Sequence, residues 1–173
     1  STDVAILEHL GAASEMLQHA IGASQRIMMN LRPAILDQGL SASVHWLASR
    51  FEKRTGIKTR VHSPGTETDI PKAIQLTAYR TAQEALTNIS KYASCDLVTI
   101  DLSDTEGLLT LEITDNGQGI SEFDLAKASS FGLKGLRERA KTVGGWLDVS
   151  TRTGAGTSII LSIPLSPQLP LAG

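Results

Sequence analysis

Asp115-Asn116-Gly117-Gln118-Gly119-Ile120 follows directly on residues 108–114, in which apolar and polar side chains alternate. Alternation with a period of two marks a half-buried strand, so the stretch is a strand exit. Its glycines let the backbone turn sharply and approach a ligand, although two glycines also make an ordinary hairpin exit. The stretch is not the dinucleotide fingerprint, because Glu122 stands where the third glycine belongs, and the P-loop pattern occurs nowhere in the chain. An ionised Asp115 beside the loop repels a pyrophosphate and is better suited to accept a hydrogen bond, for instance from the exocyclic amine of adenine. The competing reading is that Asp115 caps a turn.

Upstream, Pro71 sits well as the first residue of a helix running to about residue 92. On it Arg80, Glu84, Asn88 and Lys91 are spaced by four, four and three and share one stripe, while Ala78, Ala82, Ala85, Leu86 and Ile89 fill most of the remaining surface. A solvated face with an Arg80–Glu84 ion pair is the ordinary reading of such a stripe. The functional reading is a wall for a metal and phosphates: Glu84 and Asn88 offer hard oxygen ligands suited to Mg²⁺, and Lys91 a point charge for phosphate.

Downstream, Phe131-Gly132-Leu133-Lys134-Gly135-Leu136-Arg137-Glu138-Arg139 puts glycines before an amphipathic helix carrying Leu136, Ala140 and Val143. Backbone amides at a helix start make a phosphate cradle, and a flexible loop with a helix after it is the plain alternative. Gly154-Ala155-Gly156-Thr157 is either a hairpin turn or a further ligand contact through the Thr157 hydroxyl.

Residues 57–62, 97–103, 108–114, 146–151 and 157–163 read as five short strands. Ser63-Pro64-Gly65 turns the first into the helix, and Asp104-Thr105-Glu106-Gly107 joins the second and third as a hairpin. With helices between, this predicts an α+β fold, a two-layer sandwich with helices on one face of a mixed sheet. Pro164, Pro167 and Pro170 mark a loose tail.

Before this region lies a segment of another character. From Asp3 to Leu31 there is no proline, and Leu7, Leu10, Leu17, Ile21, Met28 and Leu31 repeat at alternating threes and fours, with Ser14 and Ser24 at the remaining seam positions. Ile6, Ala13, Ala20 and Ile27 form a second apolar row beside the first, as in a bundle helix. Arg32-Pro33 ends the register, and a second helical stretch covers about residues 41–54.

The 173 residues, 41% hydrophobic, suffice for a core of one domain plus one extra element. A net charge of −2 from 16 basic and 18 acidic residues argues against nucleic-acid binding by charge neutralisation. Cys95 is the one cysteine, which excludes an internal disulfide and points to a reducing, cytoplasmic setting. No apolar run is long enough to span a bilayer and no signal peptide opens the chain, so direct membrane contact is not expected in this segment.

The order of the four elements is more specific than any one of them. A helix with Glu and Asn four apart, a strand ending in Asp-x-Gly-x-Gly, a glycine-rich loop opening a helix, and Gly-x-Gly-Thr entering a strand together resemble the Bergerat-type ATP-binding fold of histidine kinases, gyrase and MutL. The resemblance covers about residues 70–165. Gln83-Glu84-Ala85-Leu86-Thr87-Asn88, Gly135-Leu136-Arg137-Glu138-Arg139 and Arg32-Pro33-Ala34-Ile35-Leu36-Asp37 look like sensor histidine kinases of the nitrate-sensor type.

That resemblance implies ATP and Mg²⁺ as cofactors. It implies Asn88 on Mg²⁺, with Glu84 assisting as a metal-shell group or by polarising the nucleophile, and Lys91 on phosphate. Asp115 would read the adenine amine in a pocket shaped by Gly117 and Gly119, Gly132, Leu133 and Gly135 would belong to a lid over the phosphates, and Thr157 would help hold the base. The implied reaction is transfer of the γ-phosphoryl of ATP to a histidine and thence to an aspartate of a response-regulator protein, in a homodimer joined through the N-terminal helix. Residues 1–54 would then be a partial dimerisation region with linker, 55–166 the catalytic domain and 167–173 a tail.

Tyr92 stands where the family often has histidine, and Ser130 where the lid often has another glycine. No acceptor motif surrounds His9, which lies on the same unbroken helix as His19, so both read as ordinary bundle residues and the phosphoacceptor is expected upstream. His45 and His62 have no acidic neighbour in motif position. Two other functions fit the same residues: a nucleotide-controlled binding or switch module without phosphoryl transfer, and an anti-sigma-like protein serine kinase.

Overall fold

A computed structural model gives the structure and describes residues 2–64, 69–121 and 132–165, without the side chains of residues 2, 25, 26 and 28–30. The readings that fell on Gly65, Glu122, Ser130, Phe131, Pro167 and Pro170, and on the Met28 side chain, lie outside the described residues. The chain divides into two units, Ser1–Ala34 and Ile35–Gly173.

The first unit is one helix, α1 (Thr2–Asn30), the unbroken element that the seam predicts. Leu7, Leu10, Leu17, Ile21 and Ile27 are more than half exposed on it, as is Leu31 just past its end.

A 3₁₀ turn (Ala34–Gln38) not foreseen in the sequence falls at the boundary; from Ile35 on it belongs to the second unit, where Leu36 sits in the core and α2 (Leu40–Thr55) follows. β1 (Lys58–His62), α3 (Lys72–Asn88), a π-helical turn (Ile89–Ala93), β2 (Leu97–Thr105), β3 (Leu108–Asp115), α4 (Leu133–Thr142), β4 (Trp146–Arg152) and β5 (Gly156–Pro164) follow. The strands form one mixed sheet in the order β1-β2-β3-β5-β4, with β1 parallel to β2 and every other pair antiparallel.

Register explains the single core. Ile100 pairs with Ile113, Ile113 with Ile159, and Leu161 with both Leu111 and Leu147, so these side chains share one face, and all are buried. The helices close that face with Leu40, Val44 and Phe51 of α2, Ile74, Ala78, Ala82 and Ala85 of α3, and Leu136 and Ala140 of α4. Burial at roughly 1.5–3 kcal/mol per large apolar side chain makes this layer the main stabilising contact. The result is the expected α+β arrangement, and α2 is part of the second unit.

Three local features differ from expectation. Pro71 is the N-cap of α3, not its first helical residue: with φ −53° and ψ 141° its ring lies outside the helix, while its carbonyl accepts from the Ile74 and Gln75 amides. The helix expected to reach residue 92 as one α-helix widens after Asn88 into the π turn. Finally, β2 and β3 run longer than the alternation indicates, leaving Glu106 and Gly107 as a two-residue connection with positive φ at both, the geometry that matches strand twist in tight hairpins.

Candidate functional site

α3 and the π turn form one wall of a cavity with Ala85, Asn88, Ile89, Tyr92 and Ala93. The floor is sheet, from Ile113, Thr157 and Ile159, and the strand exit adds Asp115, Gly119 and Ile120. Leu133, at the start of α4, completes the lining. Apolar surface dominates, with a few polar groups converging on it, the usual make-up of a site for a small organic ligand.

Asp115 ends β3 opposite Thr157 of β5, and only 4% of it is exposed. One carboxylate oxygen accepts the Gly117 amide at 2.8 Å. Burial raises its pKa, and hydrogen bonds from the Gly117 and Thr157 amides oppose that rise. The same carboxylate and the burial of Cys95 push the Cys95 thiol up as well, with burial the larger cause.

The loop after Asp115 is held by its own side chains. Asn116 Oδ1 accepts the amides of Asp96 and Leu97 at 3.2 and 3.1 Å, and its Nδ2 donates to Asp96 Oδ1 at 2.7 Å. Gly117 is where the loop presses on the π turn, since a Cβ there would lie 2.1 Å from the Ala93 carbonyl oxygen. Beyond it the Ile120 amide donates to Thr151 Oγ1 at 2.7 Å, and Thr151 Oγ1 is 3.1 Å from Thr157 Oγ1. Thr151 and Asn116 thus fix two cavity-lining segments, and neither was singled out in the sequence. Their signal is weak there, because a hydroxyl or amide becomes a strut only through partners distant in sequence.

Of the expected site residues, Asn88, Asp115, Gly119, Leu133 and Thr157 line this cavity. Glu84, one turn before Asn88, is half-buried and turns its carboxylate toward Gly132, which caps α4 with φ +65°. Gly135 lies in the first turn of α4, where the amides of Leu133, Lys134 and Gly135 precede the first intrahelical bond, from Leu136 to the Gly132 carbonyl. Gly117 supports the loop from behind. Lys91 is exposed on the π turn and is not among the lining residues. Arg80, read as part of a solvated stripe, is instead 9% exposed, donating to Gln83 Oε1 at 2.7 Å. Desolvation lowers its pKa. Among the described residues there is no group of three or more His, Cys, Asp or Glu that could hold a metal by itself, and no helix long and apolar enough to cross a membrane.

Residues 73–167, more than half of the chain, match the family of histidine kinase-, DNA gyrase B-, and HSP90-like ATPases. The chain belongs to this family. It therefore carries the family's ATP-binding region, which takes in α3, the π turn, α4 and strands β2 to β5. The chain is 32% identical over 176 residues to the sensor histidine kinase LiaS of Bacillus subtilis, covering 95% of this chain and 48% of that protein. It is 32% identical over 152 residues to the oxygen sensor histidine kinase NreB of Staphylococcus carnosus, covering 87% and 44%. The signal transduction histidine-protein kinase/phosphatase DegS of Brevibacillus brevis is 31% identical over 163 residues, covering 94% and 42%. The chain thus spans less than half the length of these relatives. The solved histidine kinase domain of the Erythrobacter litoralis EL346 blue-light activated histidine kinase superposes with a TM-score of 0.65 at 28% identity, over 75% of this chain and 62% of that one.

Proposed function

We propose that the chain is the catalytic part of a two-component sensor histidine kinase, binding Mg²⁺-ATP in the cavity between α3 and the sheet and passing the γ-phosphoryl to a histidine outside this chain, then to a response-regulator aspartate. The observation that carries this reading is that Asp115, Asn88 and Leu133, from three motifs far apart in sequence, line one cavity. Asp115, buried and already accepting backbone amides, is an acceptor for the amine of adenine, with the Thr157 hydroxyl beside it. Ile89, Ile113, Ile120 and Ile159 exclude water from the base. The triphosphate runs toward Asn88 and the first-turn amides of α4, where the helix dipole favours negative charge.

The donor set fits a magnesium ion. Asn88 and Glu84 present hard oxygens one turn apart on one helix, and Mg²⁺ takes one or two protein ligands together with substrate phosphates and water. When bound, the ion would neutralise charge on the transferred phosphoryl group. Glu84, set against Gly132, is placed to polarise a nucleophile arriving there. Of residues 1–54, expected as dimerisation region and linker, those through α1 pair to a second copy, whereas α2 packs into the core of the second unit and so belongs with residues 55–165 as catalytic domain.

Titration calorimetry with a Mg²⁺-bound non-hydrolysable ATP analogue tests this reading. Asp115→Ala and Asn88→Ala should each weaken binding at least about tenfold, the loss expected when a buried charged or polar partner is removed. Unchanged affinity in both variants defeats it.

A further inference from the structure

We propose that Gln118, the second unspecified position inside Asp-x-Gly-x-Gly, is a positioning residue that clasps the two walls of the nucleotide cavity together. The inference rests on the nucleotide placement proposed above. A helix end leaves its last carbonyls without intrahelical donors, and here that end is the π turn, closed by Ser94 in the left-handed conformation at φ 51°. Gln118 supplies two donors: its Nε2 reaches the Tyr92 carbonyl at 2.7 Å and its backbone amide the Ala93 carbonyl at 2.9 Å. Its own carbonyl accepts the Gly154 amide at 2.8 Å, from the turn between β4 and β5. One residue therefore ties the helical wall, the Asp115 loop and the strand hairpin.

Gln118 itself does not line the cavity, whereas Tyr92, Ala93 and Gly119 on either side of its hydrogen bonds do. π turns are rare single-turn insertions that concentrate at functional sites, and this one sets where Ile89 and Tyr92 stand relative to Asp115. The side chain is exposed and contributes nothing to the core, so its loss moves the wall more than it moves global stability. The chemistry required at this position is a long side chain ending in an N–H donor. Gln118→Glu keeps the size and sets an acceptor against a carbonyl oxygen at a helix C-terminus, while Gln118→Lys keeps a donor there.

The test uses the full chain and adenosine, which carries no charge and so does not report a change in the field on phosphates. Adenosine displaces a fluorescent ATP analogue from wild type, Gln118→Glu, Gln118→Lys and Asp115→Asn, and melting temperature and amide exchange are measured alongside. Gln118→Glu should weaken adenosine about three- to tenfold and speed exchange in residues 89–94, with its melting temperature within about 2 °C of wild type. Gln118→Lys should bind within about twofold of wild type. Wild-type affinity in Gln118→Glu with a loss in Asp115→Asn overturns the clasp alone, as does an equal loss in Gln118→Lys and Gln118→Glu. Wild type and Asp115→Asn binding adenosine alike overturns the nucleotide placement and the clasp with it.

Discussion

Gly132 and Glu84, on different elements, meet so closely that a Cβ on Gly132 would lie 2.6 Å from Glu84 Oε1. The contact joins the polar stripe of α3 to the cap of α4 and brings two of the sequence motifs face to face. Gly132→Ala has two costs: the left-handed φ of +65° is strained for alanine by roughly 1–2 kcal/mol, and the carboxylate must swing aside. Urea denaturation should show that loss, and Mg²⁺-ATP should weaken more than adenosine, because the displaced group belongs to the phosphate end. Equal weakening of both ligands would assign Gly132 a purely structural part.

Gly117→Ala should be more severe. Its added Cβ would meet backbone, 2.1 Å from the Ala93 oxygen and 2.8 Å from its carbonyl carbon, which cannot swing away as a side-chain tip can, and it would also press on Asp115 Oδ1 at 2.9 Å. A loss of about 3 kcal/mol by urea denaturation, at the upper end for overpacking, and undetectable nucleotide binding are expected. A variant of unchanged stability would show that the loop and the π turn are not in contact.

Asp115 links function to stability through pH. Its folded pKa is raised from the ordinary 3.8 by burial, so the fold favours the protonated acid, and the contribution is present below the unfolded pKa and lost as pH rises through the folded one. Above the folded pKa the carboxylate is ionised at a cost to the fold. Asp115→Asn, which keeps an oxygen to accept the Gly117 amide, should therefore melt higher than wild type at pH 7, with the gain shrinking as pH falls toward 4. Nucleotide binding should fall at the same time. A lower melting temperature at pH 7 would mean that the hydrogen bonds outweigh desolvation.

β2 and β3 were legible because Ile100, Leu111 and Ile113 alternate with polar residues under one-sided burial. Asp115 and Asn88 were legible as chemistry because glycines and helical spacing are local signals. What could not be read locally depended on tertiary partners. The π turn widens where the Asp115 loop docks, Arg80 is buried because α3 is packed more fully than its stripe suggests, and Thr151 matters only because Ile120 and Thr157 reach it. The spacing of Lys91 assumes a continuous α-helix, whereas a π turn begins after Asn88 and carries Lys91 at an exposed position outside the cavity lining. Pro71 is the cap and not the first turn because its ψ of 141° is extended, while its carbonyl still accepts from the Ile74 and Gln75 amides.

α1 leaves Leu7, Leu10 and Leu17 exposed by 67, 62 and 64%, more apolar surface than a lone helix keeps in water. Its rows at alternating threes and fours fit a seam that a second copy covers, and Ser14 interrupts that seam with a side chain that neither packs nor pairs across it well. Opposite substitutions should therefore act in opposite directions. Wild type should be a dimer in light scattering, and Leu10→Lys with Leu17→Lys should give a monomer at the same concentration. Ser14→Leu, adding an apolar knob worth roughly 1.5–3 kcal/mol of burial, should lower the dissociation constant at least about tenfold. If Ser14→Leu left the association unchanged while the double lysine variant abolished it, the face in contact would be the Ile6, Ala13, Ala20 and Ile27 row, disturbed only indirectly by the new charges.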